Sequence, residues 1–169
     1  MVNRDTVGTN TTCEKCSPGF YNDMPGNEMC KHCPIGYYQN EEGIPYCIGC
    51  IPGKYQNEEG KKECVKCSSG RKFNSSVTVG ISAFNCLACD KGQYQTQEGA
   101  ISCIDCVPGK YAAFDDTINC DDCNDDEYQP KANATSCIKV QKGHYRSGPT
   151  TEVICPAGKA GSGGSAPVH

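Results

Sequence analysis

Between Cys47 and Cys67 the chain reads CIGCIPGKYQNEEGKKECVKC. The stretch opens and closes with C-x-x-C, and 13 residues lie between the two pairs. Four thiolates in that frame can close a tetrahedral zinc site, and the spacing is only slightly short of common zinc ribbons. The same frame can equally be one link in a chain of disulfides. The remainder of the sequence arbitrates.

The C-x-x-C pairs start at Cys13, Cys30, Cys47, Cys64, Cys86, Cys103 and Cys120, with Cys137 as an unpaired eighth start. Every step is 17 residues except one of 22, between Cys64 and Cys86. A fixed period marks a repeat array in which each unit touches mainly its neighbours. Three residues after the second cysteine stand Gly19, Gly36, Gly53, Gly70, Gly92 and Gly109, then Asp126. Two residues later comes Tyr21, Tyr38, Tyr55, Tyr94, Tyr111 and Tyr128, with Lys72 and its neighbour Phe73 in the long unit. Ten residues after the second cysteine stand Gly26, Gly43, Gly60 and Gly99, replaced later by Asp116 and Asn133. Gly, Asn and Asp best tolerate positive φ, so this position is predicted to be a left-handed residue at a hairpin tip. The predicted unit is C-x-x-C, a Gly turn, a short Tyr-bearing strand, a tip, and a return strand. The Tyr ring is expected to cover a neighbouring disulfide as a miniature core.

Composition favours disulfides over zinc. The 169 residues include 16 Cys, 19 Gly, 10 Pro, three His and no Trp. Cysteine is about 9% of the chain, and only about 28% is hydrophobic without it, too little for one apolar core. Seven pairs is an odd number for a site that consumes two, and His32, His144 and His169 share no repeat register. Three N-x-S/T sequons, at Asn10, Asn74 and Asn133, lie in polar loop segments and agree with an oxidising, secreted context. No metal or other cofactor is expected, only N-linked glycans.

The broken eighth pair carries information about connectivity. Val140 stands where its second thiol belongs. Cys155 is followed by Pro-Ala-Gly as Cys33 is by Pro-Ile-Gly, so Cys155 is the second thiol of a ninth pair whose first is Glu152. If each second Cys bonds the next first Cys, positions 140 and 152 lose their thiols together. That scheme gives Cys16–Cys30, Cys33–Cys47, Cys50–Cys64, Cys67–Cys86, Cys89–Cys103, Cys106–Cys120 and Cys123–Cys137. It leaves Cys13 and Cys155 unpaired within the segment, available to cysteines elsewhere or in other chains. A rival scheme joins units two by two, first Cys with first and second with second, with Cys123 reaching Cys155.

The expected organisation is a lead-in at 1–12, tandem repeats over 13–158, and a Gly/Ser-rich linker or tail at 159–169. The fold class is a small disulfide-rich, elongated array of about eight 17-residue disulfide-closed β-hairpins with little helix. Net charge is −4 and the pI about 5.4, with Lys and Arg scattered, which disfavours nucleic acid and anionic membrane surfaces. No apolar run approaches a membrane span, and no catalytic constellation is present. The acids of DDCNDDE, Asp121 to Glu127, lack the order and the glycine of a calcium loop and read as a solvated face. In the long unit, SVTVGISAF alternates Val77, Val79, Ile81 and Ala83 with small or polar residues, a strand pattern. Val77, Val79 and Ile81 are therefore the candidate partner contact.

The pattern C-x-x-C-x-P-G-x-Y-x-x-x-x-G, complete in CIGCIPGKYQNEEG and short of its last Gly in CIDCVPGKYAAFDD, resembles the ephrin-receptor-like cysteine-rich repeats. It is similar also to the first module of tumour-necrosis-factor-receptor repeats and to C-x-x-C arrays of protist surface antigens. The resemblance covers roughly residues 13 to 158 and implies an extracellular, elongated rod of the kind used in receptor stalks, ligand-binding ectodomains, coats or filaments. Asp126, the long fourth unit and the broken eighth pair depart from the pattern. The expected function is a structural or interaction rod of a spacer, coat or fibre at the cell surface or outside the cell. The alternative is a ligand-binding receptor ectodomain. Expected partners are other proteins or copies of the chain, through Cys13 and Cys155 or the Val77–Ala83 hairpin.

Overall fold

The computed structural model describes residues 13–161 and 163. Eight two-stranded antiparallel hairpins follow one another along the chain. Their strands are Phe20–Tyr21 with Lys31–His32, Tyr37–Tyr38 with Ile48–Gly49, Lys54–Tyr55 with Val65–Lys66, and Arg71–Phe73 with Cys86–Ala88. The second half continues with Gln93–Tyr94 and Ile104–Asp105, Lys110–Tyr111 and Asp121–Asp122, Glu127–Tyr128 and Ile138–Lys139, and His144–Arg146 and Glu152–Ile154. The helical element among the described residues is a single 3₁₀ turn, Ala83–Asn85. The expected fold class is the observed one.

Two turns make each hairpin. The first follows the second cysteine: Phe20 N–H donates to the Ser17 carbonyl at 3.0 Å, and Lys54 N–H to Ile51 at 3.1 Å. Pro18 and Pro52 preset the second residue, while the third sits at φ +91° in Gly19 and +92° in Gly53. That is type II geometry, which requires glycine at the third position. The tip turn is left-handed as read from the sequence, with Asp116 at φ 61° and Asn133 at φ 57° where earlier units use Gly. Asp126 differs. Its turn closes through Glu127 N–H to the Asn124 carbonyl, but Asp126 is not in the left-handed region.

The interior of each repeat is smaller than expected, and the tyrosines are not its centre. Tyr21, Tyr38, Tyr55, Tyr94, Tyr111 and Tyr128 are half-buried. The recurring buried side chains are the second cysteines and, in four hairpins, the glutamine after the tyrosine: Gln39, Gln56, Gln95 and Gln129. Gln39 is 1% exposed. Its amide N–H donates to the Tyr46 carbonyl at 2.8 Å and its Oε1 accepts Glu41 N–H at 3.0 Å, which pins the tip loop across itself. Gln56, Gln95 and Gln129 repeat both bonds. A buried amide is tolerated because it is satisfied, and each such bond contributes about 1 kcal/mol. Only Tyr55 has the packing role expected of the tyrosines in a defined cluster, lying with Val77 against Cys67, Phe73 and Cys86.

Neighbouring hairpins are joined by backbone. Between the second and third, Gly36 N–H donates to the Gln56 carbonyl, Gln39 N–H to Lys61 and Gly60 N–H to Cys33. The same trio recurs between the fourth and fifth, fifth and sixth, and sixth and seventh. Units also touch beyond their neighbours, contrary to the expectation of mainly adjacent contact. A methyl group on Gly19 would collide with the Gly60 carbonyl of the third hairpin. Likewise Gly53 meets Gly99, Gly70 meets Asp116, Gly92 meets Asn133 and Gly109 meets Pro149. Each turn glycine is thus the seat for the tip two units along. Gly143 has nothing within 4 Å of an added Cβ, and both it and Asp126 are exposed.

Candidate functional site

Seven disulfides close the first seven hairpins: Cys16–Cys30, Cys33–Cys47, Cys50–Cys64, Cys67–Cys86, Cys89–Cys103, Cys106–Cys120 and Cys123–Cys137. This is the ladder order, second thiol to next first thiol, and not the two-by-two scheme. Six rings span a sequence separation of 14 and the fourth one of 19. Closing a ring of that size stabilises by roughly 3 kcal/mol through lost loop entropy. Cys13 is free and exposed, and Cys155 is free and half-buried. Among the described residues no group of three or more His, Cys, Asp or Glu is arranged to hold a metal ion. No described helix is long and apolar enough to cross a membrane.

The fourth hairpin departs from the repeat by its longer loop, with a sequence separation of 19 between its bridged cysteines. The alternation of SVTVGISAF reads as a strand, but residues 77–81 form none. The ladder partner of Arg71–Phe73 is Cys86–Ala88, so the insertion has no strand to pair with. Its amides turn inward instead: Ile81 N–H and Ser82 N–H both donate to Asn85 Oδ1, at 2.9 and 3.1 Å. Asn74 Oδ1 accepts Ser76 N–H at 3.0 Å and starts the loop.

Val77 packs on the Cys67–Cys86 disulfide and Phe73. Val79 and Ile81 lie over Gly36 of the second hairpin, where a Cβ would stand 2.8 Å from Val79 Cγ1 and 2.9 Å from Ile81 Cγ2. Of the candidate contact residues, Val77 and Val79 are half-buried and Ile81 remains exposed. Two further apolar residues of this hairpin, which sequence reading missed, are exposed: Phe84 at 92%, and Leu87. Ile81, Phe84 and Leu87 are three apart in sequence, a spacing that the strand assumption hid.

The sequon residue Asn74 is half-buried and Asn133 is exposed at its tip, whereas Asn10 lies outside the described residues. The acids of the 121–127 stretch are dispersed into ion pairs rather than gathered: Asp122 with Lys110 at 2.7 Å and Asp125 with Arg146 at 3.4 Å.

The broken pair is remade without sulfur. Glu152 Oε2 accepts Gln141 N–H at 3.0 Å, next to Val140, and Oε1 accepts the Tyr128 hydroxyl of the seventh hairpin at 3.0 Å. The Gln141 bond, helped by Tyr128, holds the Glu152 carboxyl below the usual carboxylate range, while the same contact raises the Tyr128 phenol.

Residues 36–83 and 77–115 match the family described as tyrosine-protein kinase ephrin type A/B receptor-like. The two segments overlap in the insertion of the fourth hairpin and confirm the resemblance read from the C-x-x-C-x-P-G-x-Y pattern over these residues. Among curated proteins none matches the chain.

Proposed function

We propose that the chain is a non-enzymatic extracellular rod, a spacer, coat or fibre segment built from cysteine-rich repeats. The observation that carries this reading is the lattice of junctions, in which the same trio of backbone N–H to C=O bonds recurs at four of the joints. Such junctions place no demand on outward side chains, so units can be added for length without a binding site. The seven disulfides and the ephrin-receptor-like match support an oxidising, extracellular setting. Small-angle scattering of the monomer is the test. An array with contacts reaching one or two units along the chain should exceed the compact-domain radius of gyration of about 15 Å. A value at that compact limit overturns the rod.

The alternative, a ligand-binding receptor ectodomain, draws on the exposed Ile81, Phe84 and Leu87 of the non-repeating hairpin. A cytoplasmic signalling region in the same polypeptide would decide for it. Partners on either reading are other proteins or further copies, reached through that hairpin or through Cys13 and Cys155.

Secretion should leave glycans on Asn74 and Asn133, with Asn10 a third acceptor. Peptide mapping of chain secreted from a glycosylating host checks this, and bare asparagines at both described sites would remove one support for the extracellular setting.

A further inference from the structure

At the eighth hairpin the two ladder thiols are replaced by Val140 and Glu152. Val140 keeps the seat of a second-position cysteine. It is 8% exposed, and its N–H donates to the Asp126 carbonyl at 2.9 Å, as Cys33 N–H does to Gly19. Glu152 then reaches from the return strand to the amide beside Val140 and to the hydroxyl of Tyr128. One carboxylate thus joins the two arms of the last hairpin and ties them to the seventh. We propose that Glu152 is a carboxylate staple standing in for the missing disulfide, so that the last hairpin opens on acidification and has no closing bond of its own for a reductant to cut. The first seven hairpins have the reverse sensitivities.

The surrounding charges agree with this role. Arg146 is the cross-strand partner of Glu152 and also pairs with Asp125. His144, on the same strand, favours the ionised carboxylate. On the seventh hairpin, Glu127 and Lys139 face each other across the ladder, next to Tyr128. The phenol of Tyr128 stays protonated throughout acid and neutral pH and remains a donor. A carboxylate held below its unfolded value stabilises fully above that value, about pH 4.3, and the stabilisation is lost as pH falls through the lower folded value. The window of opening therefore lies below about pH 4.3.

Amide hydrogen exchange of the full chain, corrected for intrinsic rates, tests the proposal. Between pH 7 and pH 3, protection over residues 144–146 and 152–154 should fall several-fold, as the carboxylate is protonated and its bonds to Gln141 and Tyr128 weaken. The hairpins closed by Cys33–Cys47 and Cys50–Cys64 should keep theirs in the same spectra and so report an intact array. Reductant at pH 7 should open those two, while the eighth, with no disulfide of its own, should keep more of its protection than they do. Glu152→Gln, a neutral mimic of the protonated acid, should hold the eighth hairpin at its acid level of protection at both pH values. Equal protection of the wild-type hairpin at pH 3 and pH 7 overturns the proposal. So does a Glu152→Gln chain as protected at pH 7 as the wild type.

Discussion

Replacing Gly53 with alanine is expected to cost about 3 kcal/mol or more, at a surface turn that sequence alone would rank as mild. Two causes add. Gly53 sits at φ +92°, and a non-glycine residue pays about 1–2 kcal/mol for the left-handed region. Its new methyl would also collide with the Gly99 carbonyl of the fifth hairpin, which is backbone and cannot swing away. Gly143→Ala is the control. It carries the same conformational cost at φ +81° but has nothing within 4 Å of the added carbon. Denaturant unfolding should rank Gly53→Ala well below Gly143→Ala. Hydrogen exchange should place the loosening at the tip around Gly99 as well as at residue 53. Equal effects for the two variants would refute the contact between hairpins two units apart.

The second large effect is a gain. Val140→Cys with Glu152→Cys should complete the ladder by closing a 13-residue ring, worth about 3 kcal/mol in loop entropy. The net gain is smaller, because the cysteine gives up the bonds that Glu152 makes to Gln141 and Tyr128. Either single substitution should leave a reactive thiol and gain nothing, so the two changes are strongly non-additive. Peptide mapping should find the new bond beside an intact Cys123–Cys137. A Cys123–Cys155 bond would instead revive the two-by-two scheme. The stapled variant should also lose the acid opening of the last hairpin.

The ladder was readable in the sequence because it is written in side chains. A 17-residue step in thiols fixes which cysteines fall together, and the joint loss at positions 140 and 152 distinguishes one pairing from another. Asp116 and Asn133 betrayed the left-handed tips by being the two other residue types that accept them. The buried glutamines also have a sequence signature, since Tyr-Gln recurs at 38–39, 55–56, 94–95 and 128–129. The contacts between hairpins had no such signature. Carbonyls and amides are common to every residue, so a lattice made of them leaves its only trace as glycine where a tip must sit. The alternation in the fourth unit misled for a different reason. Periodicity reports two faces, but a strand also needs a partner, and the insertion has none.

The ladder also fixes how the molecule responds to tension. Force applied along the chain does not run through the 13-residue loops between bridged cysteines, because each bridge is a short circuit across its loop. It passes from Cys33 to Cys47 through sulfur, across Cα atoms 5.7 Å apart, and then along Cys47-Ile-Gly-Cys50 to the next bridge. A unit pulled taut therefore reaches about 16 Å, against about 60 Å for the same 17 residues without the bridge. Seven units can bend or twist but cannot pay out slack. The eighth alone has a loop in the load path, and its length is released when a carboxylate lets go.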